Sequence, residues 1–168
     1  LIADNYESAC GLFRNVKGEI IVITDSSSLY KYDTVSRLIS PLSDNKIGCV
    51  CGMLRKQTDK NGQSTDGLIW KYENQIKLLE SNIGTLSGAN PAVYAVRKQL
   101  IPEKIPIGVK LDFFIPTFVT EMGYDVVFQP NAVAYEVAQW DNKNLFHIHV
   151  LDGSSAYRSI VCFWKLLL

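Results

Sequence analysis

Asp25 ends an unbroken apolar, mostly β-branched run, Ile20 to Ile23, in the stretch EIIVITDSS. Such a run reads as a strand buried on both faces. In an open α/β sheet the carboxyl ends of such strands open onto the ligand crevice, so the position places a carboxylate where chemistry takes place. A strand-end turn aspartate is the alternative. A second acidic residue, Asp112, opens the helical stretch DFFIPTFVTEMG, where an aspartate can also serve simply as a cap. Between them lies TLSGANP, Thr85 to Pro91, a turn of small residues whose backbone can approach a ligand closely. His147 and His149 in LFHIHV share one side of a strand, but a metal site there needs a third ligand.

The elements that must position these residues alternate between helix and strand. Leu12, Phe13 and Val16 give a helical face that stops at Gly18, ahead of the Ile20–Ile23 strand. Asp33 is expected to cap a short helix carrying Val35, Leu38 and Ile39, ended by Ser40 and Pro41. A strand follows over Ile47 to Leu54, in which Gly48 and Gly52 allow close packing or a bulge. A polar loop, Arg55 to Gly67, precedes the clearest helical periodicity in the chain. There Ile69, Tyr72, Ile76, Leu79 and Ile83 form one stripe, read as core, ending at Gly84. Glu73, Lys77 and Glu80 form a separate row, read as a solvated face. Val93 to Val96 is a short strand, Pro116 lies early enough in the next helix to be tolerated, and Gly123 closes that helix. Val126 to Phe128 and Ala132 to Tyr135 read as two short strands joined at Pro130 and Asn131. The alternation implies an α/β domain.

The 168 residues suit one domain with a real core, since 47% are apolar. Seventeen basic residues balance seventeen acidic ones, which argues against a nucleic-acid partner bound through phosphate contacts. Cys10, Cys49, Cys51 and Cys162 lack zinc or redox spacing and read as reduced thiols, so a cytoplasmic location is expected. The first residue is Leu1, which suggests a processed chain or a piece of a longer one. At the other end IVCFWKLLL, Ile160 to Leu168, is too short to span a bilayer. It reads either as a final helix on the core or as a segment making peripheral contact with a membrane.

Four stretches, in order, resemble the second half of a family 2 glycosyltransferase catalytic domain of the GT-A type, over roughly Gly18 to Glu136. GEIIVITDSS resembles the strand ending in the D-x-D motif. YENQIKLLESNIGTLSGANPAVYAVRK resembles the E-S helix, S-G-A loop and A-x-R strand. KLDFFIP resembles the D-D or E-D motif, and GYDVVFQPNAVAYE the G-Y-x-V-x-x-x-P-x-A-x-x-Y-E segment. The resemblance implies a Rossmann-like mixed sheet flanked by helices, with residues 1–136 a partial GT-A domain lacking its nucleotide-binding half and 137–168 an extension. It implies transfer of a sugar from a nucleotide-diphosphate donor, of UDP or GDP type, to a glycan or lipid-linked acceptor, with inversion.

On this reading Asp25 is the ligand of a divalent metal, Mg²⁺ or Mn²⁺, that supports the departing diphosphate, and Asp112 is the general base. Asp25, Ser27, Glu80, Ser87, Gly88, Ala89 and Arg97 bind donor or acceptor. Glu80 is in position to accept hydrogen bonds from the S-G-A loop, and Arg97 to pair with an acidic neighbour or a phosphate. His149 or Arg158 is a further candidate to face the diphosphate. Three departures stand out. Ser27 replaces the second acid of D-x-D, Leu111 the first acid of E-D, and nothing before Gly18 resembles the nucleotide-binding half. The Q-x-x-R-W motif of processive synthases is absent, which points to non-processive transfer. The alternative is a noncatalytic carbohydrate-binding or interaction module derived from the same fold.

Overall fold

A computed structural model describes residues 13, 15–56, 68–136 and 161–163. Five strands form one mixed sheet: β1 (Ile20–Ile23), β2 (Ser28–Tyr30), β3 (Ile47–Lys56), β4 (Tyr94–Arg97) and β5 (Asp125–Glu136). Three helices lie wholly within the described residues: α1 (Thr34–Ile39), α2 (Leu68–Asn82) and α3 (Leu111–Glu121). The strands run in the order β1-β4-β3-β5-β2, with β3 and β5 parallel and the other pairs antiparallel. The α/β expectation holds, as a mixed sheet.

The short link between β1 and β2 forces that sheet to curl. Its two edges, if flat, would lie about 19 Å apart across four strand spacings. The steps from Ile23 to Ser28 reach only roughly 18 Å fully extended. The sheet solves this by bending at an irregularity between Gly52 and Met53 of β3, opposite Gln129 and Val133 of β5. Beyond the bend β2 pairs with the last residues of β5, and the Tyr30 hydroxyl donates to the Ala92 carbonyl at 3.0 Å, closing one end of the sheet. The two strands expected around Pro130 and Asn131 are therefore one strand with an insertion. Pairing along β3 carries it through the bend.

Gly48 and Gly52 make the close approaches their size allows. A Cβ on Gly48 would sit 2.6 Å from Leu100 and Val119, and one on Gly52 2.6 Å from the Ala132 carbonyl oxygen and from Val93. Alternate residues of β3 and β4 serve two cores. Cys49, Cys51, Tyr94 and Val96 face Leu86, Ile115 and Val119, while Val50, Val93 and Ala95 face Leu38 and Leu42. Phe163 packs on Phe114, ring centroids 5.0 Å apart, beside Ile105 and Val109, so the carboxyl-terminal stretch touches the core at this residue. No helix among the described residues is long and apolar enough to cross a membrane.

Three expectations fail for identifiable reasons. The β1 strand is an edge strand with only Ile21 buried, because among the described residues its sole partner in the sheet is β4. Asp33 precedes α1 but makes no capping bond, because its carboxylate is taken by Arg37 at 2.6 Å, which also holds its pKa below the usual carboxylate range. Helix α2 ends as expected at Gly84, whose φ of +78° suits glycine, yet it is turned the other way round. Tyr72, Leu79 and Ile83 of the apolar stripe are 69%, 66% and 78% exposed, whereas Lys77 of the polar row is 7% exposed. Polar contacts to backbone orient this helix. Ser81 Oγ accepts the Phe128 N–H at 2.9 Å and Glu80 accepts the Ser87 N–H at 3.2 Å, which turns Lys77 inward while Glu73 stays exposed.

Candidate active site

One end of the sheet gathers the strand-end carboxylate and the small-residue loop singled out from sequence. The register puts Ile23, the last residue of β1, beside Tyr94, the first of β4, and Tyr94 beside Cys51 of β3, which in turn pairs with Phe128 of β5. The β1–β2 link with Asp25 and the Ser87–Asn90 loop thus emerge at the same end. Asp25 is exposed, and one of its carboxylate oxygens accepts the Ser27 N–H at 3.2 Å, a local turn that fixes the carboxylate at the strand end. Its charge reaches Tyr30. That hydroxyl has its pKa raised chiefly by burial, with a Thr24 hydrogen bond opposing and Asp25 adding to the rise.

The Ser87–Asn90 loop is held at three points. Glu80 takes the Ser87 N–H, the Asp112 carbonyl takes the Ala89 N–H at 2.7 Å, and the Cys51 sulfur takes the Asn90 N–H at 3.0 Å. Ala89 and Asn90 are buried by these contacts, which leaves Ser87 exposed and Gly88 half-buried. A Cβ on Gly88 would lie 3.8 Å from the Asp112 carbonyl oxygen, ordinary contact, so Gly88 keeps the surface low without being sterically required. Asp112 is half-buried in the first turn of α3. Lys110, not Asp112, occupies the cap position, and no side chain caps it.

Beneath the loop lies a polar cluster that sequence reasoning passed over. Lys77, buried on the inner face of α2, pairs with the exposed Glu73 at 3.2 Å. Burial pushes the Cys51 thiol up to about 11, against the opposing pull of Lys77 and the Asn90 N–H, with Asp112 and Glu73 adding to the rise. The Tyr94 hydroxyl, 1% exposed and without a hydrogen-bond partner among the described residues, is pushed well up by burial and then by Cys49, Asp112 and Cys51. The available signal was the row Glu73, Lys77 and Glu80. Its i, i+4, i+7 spacing marks one helix face, but spacing does not say which face is inside.

Arg97 belongs elsewhere. It lies at the far end of β4, where its guanidinium donates to the carbonyls of Ile47 at 2.8 Å, Leu42 at 2.5 Å and Asp44 at 3.0 Å. Neither the acidic partner nor the phosphate expected for it matches this position, because β4 carries it away from the end where Asp25 and the Ser87–Asn90 loop emerge. His147, His149 and Arg158 lie outside the described residues.

No protein-family model and no curated protein matches the sequence. Solved structures do. A mannosyltransferase from Pyrobaculum calidifontis, solved with GDP-Man and Mn²⁺, superposes with a TM-score of 0.67 at 20% identity over 86% of this chain and 39% of that one. The fold is that of the GT-A glycosyltransferases. Glucosyl-3-phosphoglycerate synthase from Mycobacterium tuberculosis, in complex with phosphoglyceric acid, gives a TM-score of 0.58 at 14% identity over 92% of this chain and 53% of that one. GalNAc-T7 with UDP, GalNAc and Mn²⁺ gives 0.58 at 13% identity over 95% and 35%. This chain therefore spans from about a third to about half of the length of these GT-A proteins.

Among the described residues no three His, Cys, Asp or Glu side chains converge on a metal position. A GT-A metal of the Mg²⁺ type needs less from protein, one or two carboxylates with substrate phosphates and water filling the remainder. Asp25 offers one exposed carboxylate at the end of the sheet where the Ser87–Asn90 loop emerges.

Proposed function

We propose that this chain carries the acceptor-side part of a nucleotide-sugar glycosyltransferase of family 2 type. It would transfer a sugar with inversion, one residue at a time, to a glycan or lipid-linked acceptor. The observation that carries the reading is the tie between the Asp112 carbonyl and Ala89 N–H, at the same end of a GT-A sheet as Asp25. It joins an acidic helix start to a small-residue loop beside the strand-end carboxylate.

Inverting transfer needs a base on the acceptor hydroxyl and an anomeric carbon held in line with it. Asp112 takes that proton as the new C1–O bond forms and the bond from C1 to the diphosphate oxygen breaks. Ser87 and Gly88, left accessible by the anchored residues on either side, present backbone and a hydroxyl to sugar oxygens. Glu80 holds the loop from behind, so its part is to orient rather than to touch. Asp25 would hold Mg²⁺ or Mn²⁺, with Ser27 contributing through water. A bound metal supplies charge neutralisation for the departing diphosphate.

Titration of this chain joined to a GT-A nucleotide-binding half with UDP-glucose and GDP-mannose, with and without Mn²⁺, tests the reading. Binding that strengthens with Mn²⁺ and loses this response in Asp25→Asn is expected. Asp112→Asn should keep donor binding and lower sugar transfer or donor hydrolysis by about 10²-fold or more. Binding of glycans that ignores both nucleotide and metal would overturn it in favour of a carbohydrate-binding module.

A further inference from the structure

The bond between Ala89 and Asp112 has an origin in the sequence of α3. In a regular α-helix the carbonyl of residue 112 accepts the N–H of residue 116. Residue 116 is proline, fully buried inside the helix, and has no N–H to give. Its ring also crowds the carbonyl four residues back, turning that oxygen away from the helix axis. The Asp112 carbonyl is thereby left for a partner outside the helix, and the buried Ala89 N–H fills the role at 2.7 Å. The next carbonyl along is supplied separately, by the Thr117 hydroxyl donating to Phe113 at 2.8 Å.

We infer that Pro116 is a positioning residue: by withholding one N–H it delivers the Asp112 carbonyl to the Ser87–Asn90 loop and so fixes Asp112 against that loop. Its catalytic consequence rests on the function proposed above, but the coupling itself does not. An alanine at 116 restores the missing donor. It then competes with Ala89 for one oxygen and returns that oxygen toward the helix axis, which relaxes the helix and loosens the loop together. A proline in a helix interior is ordinarily destabilising, so this substitution separates stability from positioning.

Amide exchange and hydrogen-bond scalar coupling by NMR read the contact directly. In the wild-type chain a through-hydrogen-bond coupling between Ala89 N and Asp112 C′ is expected, and its absence would overturn the inference even if no variant folds. In Pro116→Ala the Ala89 amide should exchange at least about tenfold faster with a melting temperature equal to or above wild type. Thr117→Val, which disturbs the same helix without restoring the donor, should leave Ala89 exchange unchanged. An unchanged Ala89 in Pro116→Ala, or equal acceleration in Thr117→Val, refutes the coupling. In the transfer assay Pro116→Ala should lower kcat about tenfold with little change in donor KM. Failure of this chain joined to a GT-A nucleotide-binding half to bind any nucleotide sugar would sink the proposed function while leaving the exchange result to decide the coupling.

Discussion

Replacing Arg97 by methionine removes a guanidinium that bonds three backbone carbonyls and keeps most of the aliphatic stem. The bonds to Ile47 and Leu42 are partly buried, while the one to Asp44 is exposed and contributes little. A charged donor to a carbonyl is worth about 1.5–3 kcal/mol when removal leaves the partner unsatisfied. Discounting for partial exposure, the two sheltered bonds give a destabilisation of about 2–4 kcal/mol. For a domain of this size each kcal/mol moves the melting temperature by roughly 2–4 °C, so a fall of about 4–16 °C is expected. Calorimetry on wild type and Arg97→Met measures it, alongside nucleotide-sugar affinity at a temperature where both are folded. The structure expects lower stability with unchanged affinity. A stable variant that has lost donor binding would refute the clamp and reinstate Arg97 as a phosphate ligand.

Gly52→Ala should cost about 1–3 kcal/mol in urea unfolding, because its Cβ would collide with the Ala132 carbonyl oxygen, a backbone atom that cannot rotate aside. Stability should also fall on the alkaline side. The Cys51 thiol, raised to about 11 in the folded chain against 9.0 for the ordinary group, favours folding fully below pH 9. That contribution, of the order of 3 kcal/mol, is lost as pH rises from 9 to 11, because the unfolded thiol ionises first. Melting curves across this range for wild type and Cys51→Ser check it, with a shallower alkaline slope expected in the variant. Replacing the outward-facing Tyr72, Leu79 and Ile83 with glutamine should change the folding stability of this chain by less than about 0.5 kcal/mol per site. A loss of several kcal/mol would show that the helix buries its stripe after all.

How much of this was legible beforehand differs from residue to residue. The alternation of elements, the glycines of β3 and the end of α2 at Gly84 follow from local rules, since turn chemistry and periodicity act over a few residues. The four stretches around Asp25, the S-G-A loop, Asp112 and Glu136 pointed to the GT-A fold that the superpositions bear out. The reversed face of α2 was not legible. Its orientation depends on backbone N–H groups of Ser87 and Phe128, one in a loop and one in a strand far along the chain, that need Glu80 and Ser81 as acceptors. Arg97 was misplaced for a related reason, because only the antiparallel direction of β4 decides which end of the sheet it reaches.

The sequence by itself determined the element types, the fold family it resembles and the chemical character of Asp25 and Asp112, because these are properties of residue type and short spacing. The tertiary structure decided which residues meet. Sheet order put β1 at an edge, the short β1–β2 link compelled the curl, and the missing N–H of Pro116 acquired meaning only once Ala89 was found opposite the carbonyl it frees. A hydrogen bond between distant segments satisfies groups that each segment alone would leave to water, so no local pattern announces it.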